Sequence, residues 1–311
     1  MKIIKDIEEI KQPFNNAAIT IGNFDGVHLG HQILFHTVIE KADALGGTSV
    51  GMTFEPHPLR VLKKKDRPPL ITLYEQKREL ISSTGIDVLI TVPFTPAFAN
   101  LTATQFVEDI LVNRIGMKAI VVGKDYSFGK NREGNLDFLK SIAKRLDFQV
   151  IVPDWIKALS DTAGRISSTR VRELVTDGDI VRAQKQLGRH YQIRGTVGKG
   201  RDRGGKLVGF PTANIKLQDE LCPKTGVYAV TVKCGNQLYK GVANIGYSPT
   251  FDDHQFTVEV HLLDFNKNIY GEKLFVNFVQ RIRNEMKFSN ISELSEQIKK
   301  DIVNAREILC L

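Results

Sequence analysis

The feature that most constrains this chain is a change of hydrophobic period near residue 187. Before it, short runs rich in Ile and Val alternate with segments whose apolar residues recur every three or four positions. Residues 17–24 (AAITIGNF) read as a buried strand closed by a Gly/Asn/Asp turn. In the segment that follows, Leu34, Val38, Ala42 and Leu45 step by 4, 4 and 3 before Gly46-Gly47, which lays them on one face of a helix. Further strands are expected at 48–54, 87–93, 118–123 and 148–153. Helices are expected behind a Thr102-x-x-Gln105 capping box, with Phe106, Ile110, Leu111 and Ile115 inward, and over 135–146. Strands alternating with helices give an α/β fold, a parallel sheet covered on both faces, whose ligands gather at the carboxyl ends of the strands.

From residue 191 to 279 the pattern becomes short alternating strands with many glycines, such as GVYAVTVK at 226–233 and FTVEVHLL at 256–263. That pattern predicts an antiparallel barrel or sandwich. Asn290-x-x-Glu293 caps a terminal helix whose apolar residues Ile291, Leu294, Ile298, Ile302, Ala305 and Leu309 share a face. The expected organisation is an α/β domain over 1–186 and a small β domain over 187–311. A length of 311 residues suits two domains, and 42% hydrophobic with 25% charged residues excludes a mainly disordered chain.

Three cysteines (Cys222, Cys234, Cys310) form no Cys-x-x-Cys pair, which argues against a disulfide framework and fits a reducing cytoplasm. The first ten residues lack the apolar core of a signal peptide. The uncharged window 88–107 holds Pro93, Pro96, Asn100 and four threonines, so it is expected to be strand, loop and helix start rather than a membrane span. Forty-three Lys+Arg against 35 Asp+Glu give a net charge of +8, which suits an anionic partner, either nucleic acid or phosphorylated small molecules.

Two constellations carry chemistry. The first is Gly22-Asn23-Phe24-Asp25-Gly26-Val27-His28-Leu29-Gly30-His31, at a strand-to-helix turn. Its glycines permit close backbone approach, the helix start offers unpaired N–H groups, and two imidazoles three residues apart can both donate to a phosphate. Ile166-Ser167-Ser168-Thr169-Arg170-Val171-Arg172 opens another helix, where hydroxyls, N–H groups and the Arg172 guanidinium suit a triphosphate. The second constellation is the Gly-rich, basic stretch 195–214, ending in Gly209-Phe210-Pro211-Thr212-Ala213-Asn214. Thr212 and Asn214 place hard oxygens on one face of an extended segment, as Mg²⁺ carried by a nucleotide requires. Glu259 lies on the strand face opposite Val258, Val260 and Leu262, where a carboxylate can take a proton from a hydroxyl.

The His28-x-Gly30-His31 and Ile166-Ser167-Ser168-Thr169-x-x-Arg172 signatures resemble the nucleotidylyltransferase superfamily. With Thr53-Phe54-Glu55-Pro56-His57-Pro58 and Gly123-Lys124-Asp125-Tyr126-Ser127-Phe128-Gly129 they look like an FMN adenylyltransferase module. Six further motifs look like riboflavin kinase: residues 195–200, residues 209–214, Gly226-Val227-Tyr228-Ala229, Gly241-Val242-Ala243-Asn244-Ile245-Gly246 with Pro249-Thr250-Phe251, Glu259-Val260-His261, and Ile282-Arg283-x-Glu285-x-x-Phe288. In this order they are similar to the bacterial bifunctional riboflavin kinase/FAD synthetase family over essentially the whole chain. Tyr126 stands where Phe is common, and Gly204-Gly205-Lys206 where Gly-Arg is frequent.

The resemblance implies a Rossmann-like nucleotidylyltransferase sheet followed by a small antiparallel β-barrel. It implies phosphorylation of riboflavin to FMN by ATP, then adenylylation of FMN to FAD with release of pyrophosphate. In that reading His28, His31, Arg172 and Glu259 are catalytic. Gly22, Phe24, Asp25, Gly30, Ser168, Thr169, Gly198, Lys199, Gly200, Gly209 and Pro211 bind ATP. Phe54, Pro56, His57, Pro58, Asp125, Phe128 and Arg283 face the flavin, and Thr212 and Asn214 hold Mg²⁺. The expected partners are small molecules, with neither nucleic acid nor membrane. Two alternatives stand beside this reading: an adenylyltransferase with another acceptor and the barrel as specificity module, and a nucleic-acid binder. The latter lacks a basic patch interleaved with aromatics, and the single Trp155 lies outside the barrel segment.

Overall fold

A computed structural model of the chain describes residues 1–62, 67–154, 166–198, 210–247 and 256–310. Its internal contacts separate two compact units, Met1–Ile166 and Ser167–Leu311.

The first unit is built on six strands, β1 (Lys2–Ile4), β2 (Ala17–Ile21), β3 (Ser49–Glu55), β4 (Val88–Pro93), β5 (Met117–Val121) and β8 (Gln149–Ile151). A separate two-stranded hairpin joins β6 (Ser127–Phe128) to β7 (Gly134–Asn135). The order across the sheet is β1-β4-β3-β2-β5-β8, with every pair parallel. The chain leaves β2 toward β3 and β4 on one side and later returns to add β5 and β8 on the other. The order therefore reverses between β2 and β5, where such sheets open a ligand crevice. All of β2 is buried: Ala17, Ile19 and Ile21 pack on one face with Met52, Ile90 and Phe106, and Ala18 on the other with Phe35, Val38 and Leu89.

Helix α1 (Leu29–Ala44) buries Leu34, Val38 and Ala42, the expected face, with Leu45 as its C-cap. It is followed by α2 (Pro58–Leu62), α3 (Tyr74–Ser82), α4 (Pro96–Ala99), α5 (Ala103–Gln105) and α6 (Leu136–Ala143). The Thr102/Gln105 capping box forms with both reciprocal bonds. Beyond it the expected α-helix widens into a π-helix, Phe106–Arg114, closed by a bond from the Ile115 N–H to the Ile110 carbonyl at 2.9 Å. Phe106 and Leu111 are five apart, as are Ile110 and Ile115, and five-residue hydrogen bonding aligns such pairs where an α turn does not.

In the second unit, α7 (Ser168–Thr176) and α8 (Ile180–Leu187) precede a barrel of β9 (Tyr191–Gly198), β10 (Ala213–Ile215), β11 (Gly226–Cys234), β12 (Gln237–Tyr247), β13 (Phe256–Leu262) and β14 (Lys273–Arg283). The barrel closes in the order β10-β13-β12-β11-β14-β9, with antiparallel pairing throughout. Both leading helices fall by contact with the barrel, and α8 packs on β9 and β14. Tyr191, Ile193, Tyr228, Val230, Val258, Val260, Val276 and Phe278 are buried, and the Tyr228 ring meets Phe278 edge-on at 5.3 Å.

The terminal helix α9 (Ile291–Ile308) places Ala305 and Ile302 against Val227, Ala229 and Val242. Asp301 on α9 is 3% exposed and takes Arg283 in a forked pair, Nε–Oδ1 at 2.8 Å and Nη2–Oδ2 at 2.7 Å. Gln297 adds a bond to Asp301 Oδ1 at 2.9 Å. Removing one partner of a buried ion pair strands the other, at a cost of about 3–5 kcal/mol. Asp301→Ala should therefore lower the stability of the barrel transition in urea by about 3 kcal/mol, read by a tyrosine or flavin signal from that unit. A change under 0.5 kcal/mol would show that the pair does not hold the helix.

Candidate active sites

The first site grows from the exit of β2. Residues 22–31 turn the chain from strand to helix through positive φ at Phe24 (48°), Gly26 (87°) and Val27 (39°). A Cβ on Gly22 would stand 2.9 Å from the Phe24 ring, so this position is closed to larger residues. The Phe24 ring is buried in the core, 4.6 Å from Phe35 and edge-on to His31 at 5.2 Å. Asp25, one of the expected ATP-binding residues, is 2% exposed. It accepts from the backbone N–H of Ile71 at 3.2 Å and of Thr72 at 3.0 Å, while the Thr72 hydroxyl oxygen accepts from Gly26 N–H at 3.0 Å. The carboxylate thus fastens the loop to the segment ahead of α3.

His28 caps α1, its Nδ1 accepting from the His31 N–H at 3.3 Å. That bond leaves Nε2 as the donor of a neutral His28 ring. The two imidazoles stack, with centroids 3.6 Å apart and planes at 16°, so both can face one anion at the positive end of the helix. Gly30 is buried in the first turn.

The exits of β3 and β5 open on the same edge of the sheet, as parallel pairing requires. After β3, Phe54 packs edge-on to Phe94 at 5.6 Å and against Phe98 at 5.8 Å, and it remains half-buried. The Glu55-Pro56 peptide is cis, His57 is buried with Nδ1 accepting from Leu59 N–H at 3.2 Å, and Pro58 starts α2. After β5, Asp125 is exposed, while Phe128 is buried against Phe106 and stacks on Tyr126 at 5.3 Å. Burial pushes the Tyr126 phenol well above its ordinary range.

Sequence reasoning missed α3, which supplies Lys77 behind these exits. Its N-cap, Leu73, makes no side-chain cap bond, so no start signal was there to find. In the second unit Ser167 caps α7, accepting from Arg170 N–H at 3.2 Å, and Ser168 and Thr169 head the helix. Val171, Leu174 and Val175 are buried as expected, and Arg172 is half-buried.

The barrel brings Asn214, Glu259 and Asn244 into one row. Asn214 and Asn244 stand opposite Glu259 on its two neighbouring strands, so all three point to the same face, and Gly198 continues the row beyond Asn214. Val258 and Val260 point the other way and are fully buried, as the alternation predicts. Burial raises the Glu259 pKa above the ordinary carboxylate value. Pro211 and Thr212 are exposed just before β10, with the Pro211 carbonyl 2.8 Å from His261 Nδ1. Arg283 spends its guanidinium on Asp301 and, at 2.9 Å, on the Asn284 carbonyl. Lys199, Gly200 and Gly209, with residues 204–206 and 249–251, lie outside the described residues. The role of Asn244 in the row emerges only from strand register.

Among the described residues no helix is long and apolar enough to cross a membrane. The FAD synthetase family model matches residues 10–170, and the riboflavin kinase model matches 187–309. Bifunctional riboflavin kinase/FMN adenylyltransferases from Buchnera aphidicola subsp. Schizaphis graminum and Haemophilus influenzae are 39% and 38% identical to this chain. The alignments cover 97% and 98% of both chains, respectively. The Escherichia coli K12 enzyme of the same name is 37% identical over 100% of this chain and 99% of its own. A solved Streptococcus pneumoniae structure titled macrolide-efflux protein superposes with a TM-score of 0.85 at 33% identity, covering 98% of both chains. That title differs from the names of the sequence relatives and belongs to that protein alone; what the superposition adds is the fold.

Fold and matches together define an ATP-dependent transferase of flavin cofactor synthesis. The chain belongs to the bifunctional riboflavin kinase/FMN adenylyltransferase family: it phosphorylates riboflavin to FMN and adenylylates FMN to FAD.

Because Asp25 holds the loop through bonds to a charged acceptor, worth about 1.5–3 kcal/mol, Asp25→Asn should slow FAD formation from FMN by about 10- to 100-fold. Riboflavin phosphorylation should stay within about twofold of the parent. A parent-like FAD rate would remove Asp25 from the support of the loop.

Proposed function

We propose that adenylylation belongs to residues 1–186 and phosphorylation to residues 187–311, each with its own ATP site. The two family models, which meet no closer than residues 170 and 187, support that division. The observation that carries the kinase assignment is the row that sets a half-buried Glu259 between Asn214 and Asn244. The ribityl 5′-hydroxyl of riboflavin attacks the γ-phosphate of ATP. A new O–P bond forms as the bond to ADP breaks, and the hydroxyl proton passes to the Glu259 carboxylate. The hydroxyl of Thr212 and the amide oxygen of Asn214, with a carboxylate in the same row, fit Mg²⁺, which takes few protein ligands and completes its shell with phosphates. When bound, the ion neutralises phosphate charge. Gly198, Lys199, Gly200, Gly209 and Pro211 are the proposed nucleotide contacts.

In adenylylation, an FMN phosphate oxygen attacks the α-phosphate of ATP and pyrophosphate leaves. The nucleophile is already an anion, so the task is to overcome repulsion. His28 and His31, stacked at the N-terminus of α1, donate toward that charge, with Gly22 and Gly30 giving the backbone room to approach. The signature beginning at Ile166 supports Ser168 and Thr169 as ATP contacts and Arg172 as a further phosphate donor. Phe54, Pro56, His57, Pro58, Asp125 and Phe128 form the proposed flavin side, Phe54 with a partly open ring and Phe128 buried against Phe106. Arg283 is the proposed flavin-side residue of the kinase, with bonds to Asp301 and to the Asn284 carbonyl. The partners of this reading are small molecules, not nucleic acid. Its compartment is the cytoplasm, which three free cysteines support.

The assignments are tested by crossing two variants. Glu259→Gln should lose riboflavin phosphorylation but convert supplied FMN to FAD at a near-parent rate. His28→Ala should do the reverse, losing about 10²- to 10³-fold in FAD formation, chiefly in kcat. A base must be ionised, so the raised Glu259 pKa places the acid limb of kinase kcat/KM above the ordinary glutamate range. A carboxylate with a raised folded pKa gives stability present at low pH and lost as pH rises through that pKa, so Glu259→Gln should melt no lower than the parent at pH 7. Normal phosphorylation by Glu259→Gln would remove Glu259 from the mechanism, and an unchanged kcat in His28→Ala would remove the histidine.

A further inference from the structure

Lys77, in the first turn of α3, is 4% exposed and has no part in the chemistry above. Its Nζ donates to the carbonyl of Asn23 at 3.3 Å and to that of Phe54 at 3.4 Å. Asn23 is the second residue past β2, on the loop that carries His28 and His31, and Phe54 is the head of the proposed flavin turn at the end of β3. The Thr53 hydroxyl reaches the same Asn23 carbonyl at 3.3 Å. Just upstream of Lys77, Ile71 and Thr72 hold Asp25. The segment 71–77 therefore grips the phosphate loop at Asn23, Asp25 and Gly26 and the flavin turn at Phe54.

We propose that Lys77 is a positioning residue of the adenylylation site, its buried ammonium fixing the phosphate loop against the flavin turn so that the FMN phosphate and the ATP α-phosphate meet in register. The inference rests on the site assignment given above. Its support is the choice of group as well as the geometry. Two carbonyls could be bridged by a neutral donor, yet an ammonium has been taken out of water. Burial pushes its pKa below the ordinary lysine range, an effect the Glu55 and Asp25 carboxylates oppose. A lysine with a depressed folded pKa contributes stability above that pKa and loses it as pH falls through it. Burial thus makes the charged form a burden on the fold. A residue that burdens the fold while joining two substrate loops is best explained by what it does for the substrates. Its positive charge also lies behind two loops that receive anions.

A positioning role and a merely structural one differ in what they move. Misplacing reacting groups by about 1 Å costs about 10²-fold in rate with little loss of ground-state binding. Lys77→Met should therefore lower kcat for FAD formation from FMN by about 10²-fold. KM for ATP and FMN should stay within about threefold, and the melting temperature should match or exceed that of the parent. Lys77→Arg, which keeps the cation and its donors, should retain at least about tenfold more activity than Lys77→Met, and it stands in as the test if Lys77→Met does not fold. The assay is run on the full chain beside His28→Ala. If His28→Ala is slow and Lys77→Met has a parent-like kcat, the Lys77 assignment alone fails. If both keep a parent-like kcat, the site assignment fails and the inference with it. A fall in melting temperature with matching rises in both KM values, or equal losses in Lys77→Met and Lys77→Arg, would show a structural role and overturn the proposal.

Discussion

A parallel sheet cannot turn back on itself at a strand end, and most of the first unit follows from that restriction. Each strand must hand its chain to a crossover, so all the carboxyl ends open on one edge. In this protein that rule collects three segments far apart in sequence: the loop of residues 22–31, the turn of residues 54–58, and residues 123–128 after β5. The reversal of order between β2 and β5 separates their crossovers and leaves room between them. The same edge also collects the polar groups that hold the segments. Asp25 and Lys77, both buried, tie the loop to residues 71–77 in both directions, the loop's carboxylate receiving the N–H groups of Ile71 and Thr72 and the helix's ammonium donating to the carbonyls of Asn23 and Phe54. The loop proposed to receive phosphate is thereby held by two buried side chains.

The second unit reaches a comparable precision by another route. An antiparallel barrel has no common edge of strand ends, but its register is fixed by hydrogen bonding, and its pleat sends alternate residues to opposite sides. A slip of one residue in β13 would bury Glu259 and expose Val258 or Val260. The fully buried valines therefore lock the carboxylate into its row with Asn214 and Asn244. Outside the barrel, α9 covers Val227, Ala229 and Val242 and is tied down by Asp301 to Arg283.

Much of this was legible from period alone. The 3.6-residue spacing of Leu34, Val38 and Ala42, the two-residue spacing of Val258 and Val260, and the caps at Thr102 and Asn290 each reflect a local rule and appear as read. What escaped depended on partners distant in sequence or on a local exception. Helix α3 has an uncapped start and a polar sequence, YEQKRELIS, so neither period nor punctuation marks it. The π-helix uses a spacing that reads as α when only the residues are seen. Arg283 is marked by its motif, but its bonds to Asp301, 18 residues away on another element, are not. The histidine pair was evident as a motif, but its stacking and the Nδ1 cap were not, since both require the turn to be built.

The central proposal is that adenylylation and phosphorylation use two separate sites that act in turn on one flavin. Complementation in trans tests it most directly. Glu259→Gln protein and His28→Ala/His31→Ala protein are incubated alone and mixed, each with riboflavin, ATP and Mg²⁺, and FMN and FAD are followed by chromatography. Alone, the first should leave riboflavin unchanged and the second should stop at FMN. The mixture should make FAD after a lag in which FMN accumulates. FAD formed from riboflavin by the Glu259→Gln protein alone, or none formed by the mixture, would contradict the account.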